Sequence, residues 1–252
     1  MSNEKLLNTF SRWSNMLLCE RLDTLYDLID YWFESRLSEQ TKQDLSLPAF
    51  LPVSLKWLYE VIAKYNSNAF EESYGNWTSG DPVVLFYSLK KPVSLILENG
   101  YCEFLNENQG VYQCAINNNS DDPSVFKLEG HKQEWIKVTE KLSDFLLFLI
   151  IFEITLGSPS SYILGSLEVH IGSGFFDGVI FYDFVKKFNK VQTELIKCIW
   201  VVDNSVSIYL GHDLVLLTVD NNDGKVFVQA AAKNLDAVLK AKELGEWEYA
   251  FD

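Results

Sequence analysis

Hydrophobic residues over the first forty positions recur at steps of three and four. Leu6, Leu7, Phe10, Trp13 and Leu17 set the rhythm, and Leu22, Leu25, Leu28, Ile29, Trp32 and Phe33 continue it as far as Arg36. This period predicts two amphipathic helices, or one that bends near Cys19–Asp23. The aromatic residues at 10, 13, 32 and 33 lie on the apolar stripe and are expected to pack a core. Leu47-Pro48-Ala49-Phe50-Leu51-Pro52 then punctuates the chain. Pro52 suits the first turn of a following helix, where its missing N–H costs nothing. Leu55, Leu58, Tyr59, Ile62 and Tyr65 supply that helix with an apolar stripe, and the polar stretch from Ser67 to Asp81 is expected to be a loop.

After Pro82 the period shortens. Val83–Tyr87, Val93–Leu97, Tyr101–Leu105 and Val111–Ile116 are rich in β-branched and aromatic residues, and turn-formers separate them. Asn99-Gly100 between two apolar runs is a strong hairpin signal. Close spacing with tight turns predicts an antiparallel meander, to which Trp135–Val138 would add an edge strand. Leu142 to Leu156 is a second apolar helix, opened by Ser143 and closed at Gly157. In the final third, Ile196–Val202, Val206–Leu210, Leu214–Val219 and Val226–Ala230 are predicted strands. Asn221 to Gly224 is predicted as the turn between the last two, and Asn234 to Leu244 as a helix. No repeat, linker or low-complexity segment interrupts the chain. The expected fold is therefore α+β: a single domain over 1–252 with a β-meander flanked by helices and additional C-terminal strands and helix.

Composition narrows the function classes. Of 252 residues, 48% are hydrophobic and 22% charged, which excludes intrinsic disorder. Thirty-five acidic residues against 21 basic ones give a net charge of −14. A surface of that sign repels a phosphate backbone, so no nucleic-acid partner is expected; it favours a basic partner, or serves solubility alone. The apolar run Phe145–Phe152 is far short of the roughly twenty residues a membrane span needs. The first five residues lack the basic-then-apolar order of a signal peptide, so a cytoplasmic protein without membrane attachment is expected. Cys19, Cys102, Cys114 and Cys198 form no C-x-x-C pair and are expected as reduced, mostly buried thiols.

The position of charge is more informative than its total. No Lys or Arg occurs between Lys91 and Lys127, between Lys141 and Lys186, or between Lys197 and Lys225, yet each stretch carries several acids. These are either solvated loop tips or a sheet rim whose field attracts a cationic partner. Motifs for chemistry fail on spacing. His170 to Gly178 has two glycines of a phosphate loop, but Asp177 stands where the third belongs, so a turn is expected there. Asp220 to Gly224 has calcium-loop composition without the spacing or the bidentate glutamate. No nucleophile elbow or paired-histidine metal motif occurs. The expectation is no catalytic residue, no cofactor and no metal, with a small-molecule enzyme of unrecognised type as a remote rival.

Three pieces between Leu47 and Gly157 resemble the SUKH superfamily, a broad group of bacterial immunity proteins that also includes eukaryotic cell-wall regulators. Leu51-Pro52-Val53-Ser54-Leu55-Lys56-Trp57-Leu58-Tyr59 is similar to its Leu-Pro lead-in to an amphipathic helix. Glu107-Asn108-Gln109-Gly110-Val111-Tyr112-Gln113 resembles its turn into a strand. Asp121-Asp122-Pro123-Ser124-Val125, then Trp135, then Leu142-Ser143-Asp144-Phe145-Leu146 resemble its Asp-Pro strand and Ser-x-Phe-Leu helix start. The chain departs from the pattern at Asn66-Ser67-Asn68, where the family often has Asn-Gly. The resemblance implies a recognisable core over 47–157, N-terminal helices over 1–46 and a C-terminal extension over 158–252. It also implies a non-catalytic immunity protein that neutralises a cognate, cationic, contact-delivered toxin, for instance a basic nuclease, by stoichiometric occlusion. The alternative is a regulatory or scaffold module that recruits a cellular protein. Residues expected on the partner surface are Glu98, Glu103, Glu107, Asn108, Gln109, Asp121 and Asp122. For Asn108 and Gln109 a capping role at a turn, with Gly110 at positive φ, is the competing reading.

Overall fold

The structure is a computed structural model that describes residues 3–33, 46–65, 87–107, 112–129, 134–155, 170–191, 206–221 and 223–248. Its N-terminal third is helical: α1 (Asn3–Phe10), a 3₁₀ turn at Trp13–Asn15, α2 (Leu18–Phe33) and α3 (Val53–Tyr65). The break between the first two helices falls at residues 11–17, earlier than the bend expected near Cys19–Asp23. Glu20 explains the position, because its carboxylate accepts the Leu17 N–H at 2.8 Å and starts α2 there. Phe10 and Trp13 stack at 5.5 Å between ring centres, and both are fully buried as their place on the stripe predicts.

The first sheet contains β1 (Tyr87–Leu89), β2 (Leu97–Glu98), β3 (Tyr101–Glu107), β4 (Tyr112–Asn117), β5 (Val125–Glu129) and β6 (Ile136–Thr139). Its spatial order β1-β3-β4-β5-β6, with β2 also on β3, is the expected antiparallel meander with the strand near Trp135 at one edge. Asn99 and Gly100 both take positive φ in the hairpin before β3. The strand expected over Val93–Leu97 is instead a 3₁₀ turn at Pro92–Ser94 followed by the two residues of β2. Pro92 fixes φ and offers no N–H to a ladder, so the chain turns there, and the Leu95 N–H bonds back to the Pro92 carbonyl at 3.2 Å. Residues 83–86 of the preceding expected strand, the loop expected over 67–81 and the whole of the strand expected over 196–202 lie outside the described residues.

Next comes α4 (Leu142–Thr155), apolar on nearly every side. A helix of that kind is stable only when covered all round. Here α2 and α3 pack against it, with α1 on α2, one sheet lies on either side, and Phe145 meets Phe104 of β3 at 6.2 Å. The second sheet is formed by β7 (His170–Asp177), β8 (Asn189–Lys190), β9 (Val206–Gly211), β10 (Leu214–Asp220) and β11 (Lys225–Ala232), in the order β7-β11-β10-β9-β8. The glycine-rich stretch expected as a turn is thus a strand, with eight residues paired in unbroken register to β11. Glycine fits there because a Cβ at Gly174 would stand 3.3 Å from the Glu248 backbone nitrogen, so the bare backbone lets the C-terminal segment lie close. The outer face of this sheet is covered by α5 (Gly178–Val185) and α6 (Leu235–Lys242). Asp177 caps α5, accepting the Val179 and Ile180 N–H groups, and Asn234 caps α6 through the Ala237 N–H. The layers therefore run sheet, helices, sheet, helices, and one hydrophobic cluster extends from Leu6 to Ala231. The architecture is α+β in one body. Among the described residues no helix is long and apolar enough to cross a membrane.

Two polar assemblies tie distant parts of the chain together. The first sits at the buried start of α4. Arg21 and Asp144 form an ion pair at 3.1 Å with side chains 3% and 0% exposed. Trp13 Nε1 donates to the same carboxylate oxygen at 2.5 Å, and the Arg21 guanidinium also donates to Ser143 Oγ and to the Ser14 carbonyl. The second joins α2 to the β9–β10 turn. Tyr31 Oη, Asn234 Nδ2 and His212 all contact the Asp213 carboxylate, while Lys233 Nζ donates to the Tyr31 carbonyl at 2.6 Å and covers its ring at 3.9 Å. Burial pushes the Asp213 carboxyl upward, but the Tyr31 hydrogen bond, the nearby His212 and the Asn234 bond together hold it below its ordinary range.

Both assemblies yield expectations. Arg21→Met leaves the Asp144 charge buried without its cation and should cost about 3–5 kcal/mol, read as a lowered urea midpoint at unchanged m-value; a loss below about 1 kcal/mol would contradict it. Because the folded Asp213 carboxyl titrates below its unfolded value, its contribution is present above that unfolded value, about pH 4, and disappears as the pH falls through the folded one. Asp213→Asn keeps a side chain suited to the positive φ of that position. It should be less stable than the parent at neutral pH, and the gap should close under acid; a gap independent of pH would exclude the carboxylate as its source.

Candidate interaction surface

The seven residues expected at a partner surface do not form one patch. Glu98 on β2 and Asp121 and Asp122 after β4 lie at the same end of the first sheet, beside the start of β3. Glu107 closes β3 at the opposite end, six residue steps and about 20 Å away. Asn108 and Gln109 lie outside the described residues. Glu103 is mid-strand, partly buried and paired with Lys90 at 2.9 Å.

Asp122 has an internal task. Its carboxylate accepts the Ser143 N–H at 2.8 Å and the Ser143 hydroxyl at 2.7 Å. It therefore caps α4 from a different part of the chain, and the helix opening expected of Ser143 is performed on Ser143 instead. The Asp121 carbonyl accepts both the backbone N–H and the hydroxyl of Ser54, fixing the start of α3, while its side chain is exposed. The Leu-Pro helix and the Asp-Asp-Pro loop are thus held to one another.

The other acids of the base-free stretches behave alike. Asp144 is buried against Arg21, and Asp177 caps α5. Asp183 pairs with Lys186, Asp220 accepts the Tyr182 hydroxyl at 2.6 Å, and Asp223 accepts the Lys225 N–H. Glu168 and Asp203 lie outside the described residues. Those among the described residues act within the fold, as acceptors of nearby N–H and hydroxyl groups or as partners of Arg21 and Lys186.

Among the described residues one apolar surface open to a partner is a ledge on the first sheet, while Val179 and Ile180 on α5 and Leu235 and Leu239 on α6 are exposed elsewhere. Pro92 and Leu95 are buried and anchor the connection between β1 and β2, while Tyr59 Oη donates to the Lys90 carbonyl at its root. Around those anchors the chain exposes Val93 (81%) in the turn and Ile96 (62%) and Leu97 (48%) just after it, with exposed Glu98 next. Around the hairpin, Tyr101 stacks on Trp135 at 5.4 Å and meets Phe126 edge-on at 5.2 Å, giving the adjoining sheet face a stiff aromatic floor. Sequence reasoning assigned Val93 and Ile96 to a strand and so missed them as surface residues; the available signal was Pro92, which forbids a regular ladder at that point.

The rest of the surface offers little chemistry. Among the described residues, no three His, Cys, Asp or Glu side chains are grouped to hold a metal ion. Cys102 and Cys114 are free, buried thiols; desolvation pushes both upward, Cys102 to about 11, so neither is a ready nucleophile at neutral pH. Cys19 is exposed, and Cys198 lies outside the described residues. Compared with protein families, curated proteins and solved structures, the chain finds no match.

The two kinds of acid separate in a stability measurement. Asp122→Ala removes a cap with two acceptor contacts and should cost about 1–2 kcal/mol in urea unfolding. Glu98→Ala, on an exposed two-residue strand, should change stability by less than about 0.5 kcal/mol. Equal losses from the two would mean that Asp122 contributes no cap.

Proposed function

We propose that this protein is a non-catalytic immunity protein that binds a cationic toxin and neutralises it by covering its working surface. The observation that carries the reading is the ledge. Three large apolar side chains, Val93, Ile96 and Leu97, stand exposed beside buried Pro92 and Leu95, and Glu98 follows in a stretch without a Lys or Arg between Lys91 and Lys127. Apolar anchors with charge beside them are the usual anatomy of a protein–protein contact. A turn held at both ends also loses little freedom on binding. The acidic total supports a basic partner, and the likeness of 47–157 to the SUKH superfamily supports the immunity role. A nuclease, whose site is built for phosphate, is the kind of toxin an acidic cover suits. Occlusion needs a rigid surface and no reacting group.

Co-expression of the chain with the toxin domain encoded beside it tests the proposal by survival. The parent should protect; Ile96→Asp combined with Glu98→Lys should not, while remaining folded. The association rate should fall by about tenfold or more from low to high salt. Death of cells carrying the parent, or full protection by the double variant, would overturn the reading. A rate indifferent to salt would remove its electrostatic part.

A further inference from the structure

A helix lying on a protein surface normally turns polar residues to the solvent. Of the two helices that cover the second sheet, α6 mixes exposed Leu235 and Leu239 with exposed Asp236 and Lys242. In α5 the one charged residue is Asp183. Phe181, Phe184 and Val185 are buried, with Phe181 edge-on to Tyr209 of β9 at 5.7 Å. Val179 (81%), Ile180 (56%) and Tyr182 (45%) are left outward. The equally apolar α4 is covered all round, whereas α5 is covered on one side.

This apolar corner is held in place. Asp177 accepts the Val179 N–H at 2.9 Å and the Ile180 N–H at 3.2 Å, and the Gly178 N–H bonds to the Gly224 carbonyl at 2.9 Å. Tyr182 Oη donates to Asp220 at 2.6 Å. The same contacts set three exposed carboxylates beside the apolar residues: Asp177, Asp220 and, next to Gly224, Asp223. Their donors are backbone N–H groups and a phenol, so each carboxylate is hydrogen-bonded and keeps its charge. Lys225, opposite Asp177 in the ladder, is the base within this group. Asp183, further along α5, is matched by Lys186 at 2.9 Å.

We propose that this corner docks a basic amphipathic helix of another protein. The partner's apolar stripe covers Val179, Ile180 and Tyr182, and its Lys or Arg residues reach Asp177, Asp220 and Asp223. Charge selects this occupant. A second copy would bring the same carboxylates together on a chain of net charge −14, and anionic phospholipid headgroups would be repelled likewise. The outward ridge of α5 suits the grooves of a second helix, and side chains already fixed lose little freedom on docking. The site belongs to the outer helix layer of the second sheet, apart from the ledge on the first, and it does not depend on the immunity reading.

The probe is a labelled synthetic peptide of about eighteen residues, long enough to form a helix, with Leu along one face and Lys on the other. Followed by fluorescence anisotropy, it should bind one to one and more weakly as salt is added. Val179→Ser with Ile180→Ser should weaken binding at least tenfold at an unchanged urea midpoint, because both sites are exposed. Asp220→Asn with Asp223→Asn keeps the acceptors. It should weaken binding more than Asp23→Asn with Asp30→Asn, which removes the same charge from exposed positions on α2. Binding indifferent to the Val179 and Ile180 pair, or equal binding of a peptide with Glu in place of Lys, would overturn the proposal. So would capture by anionic phospholipid vesicles in preference to the peptide, or a dimer of the chain that the same pair abolishes.

Discussion

Asp144 is a carboxylate with no access to solvent, and its environment organises the structure. An isolated charge at that depth is strongly unfavourable, so the carboxylate requires Arg21, and Arg21 requires acceptors for its remaining donors. Those acceptors come from Ser14 before α2 and Ser143 within α4, while Trp13 adds the indole N–H. Ser143 in turn is held by Asp122, whose neighbour Asp121 fixes the start of α3. Four segments far apart in sequence, Trp13–Arg21, Ser54, Asp121–Asp122 and Ser143–Asp144, are thereby located around one helix terminus. Hydrophobic burial alone would permit α4 to slide or rotate between its neighbours, since its apolar surface is nearly uniform; satisfied buried charge has one arrangement.

That constraint explains the layered body. A helix apolar on all sides accepts a sheet on each flank, and α4 separates the meander from the C-terminal sheet while helping to bury the inner face of both. The Tyr31–Asp213–Lys233 assembly closes the arrangement by fastening α2 to the β9–β10 turn, which positive φ at Asp213 makes tight. The ledge proposed as the partner surface, Val93–Glu98 on the first sheet, is then peripheral to this body, apolar with an acid beside it.

Net charge is a poor guide to where an acidic protein binds. The acids from Lys91 onward include caps on two helices, a turn acceptor, a tyrosine acceptor and the partner of a buried arginine. Apart from the partner of Arg21, each of these meets its hydrogen-bond demand with backbone N–H or hydroxyl groups. The functional reading consequently rests on fewer residues than the composition suggested, with Glu98 central among them.

Periodicity by itself determined most of the elements here: helices at the N-terminus, the meander with its Asn99-Gly100 hairpin, the apolar helix from Leu142 and the last three strands with their closing helix. Those features are set by local repetition of apolar side chains and by turn-formers acting over a few residues, and so they are legible in one dimension. The glycine-rich strand β7 was not, since glycine favours turns locally and is recruited to a strand only because another segment lies against its backbone. Division of the strands between two sheets, the cap that Asp122 makes across 21 positions and the burial of Asp144 against Arg21 were likewise decided by tertiary structure. A carboxylate reads identically in sequence whether it faces water, a helix terminus or a guanidinium. Only the packing that removes the water decides which.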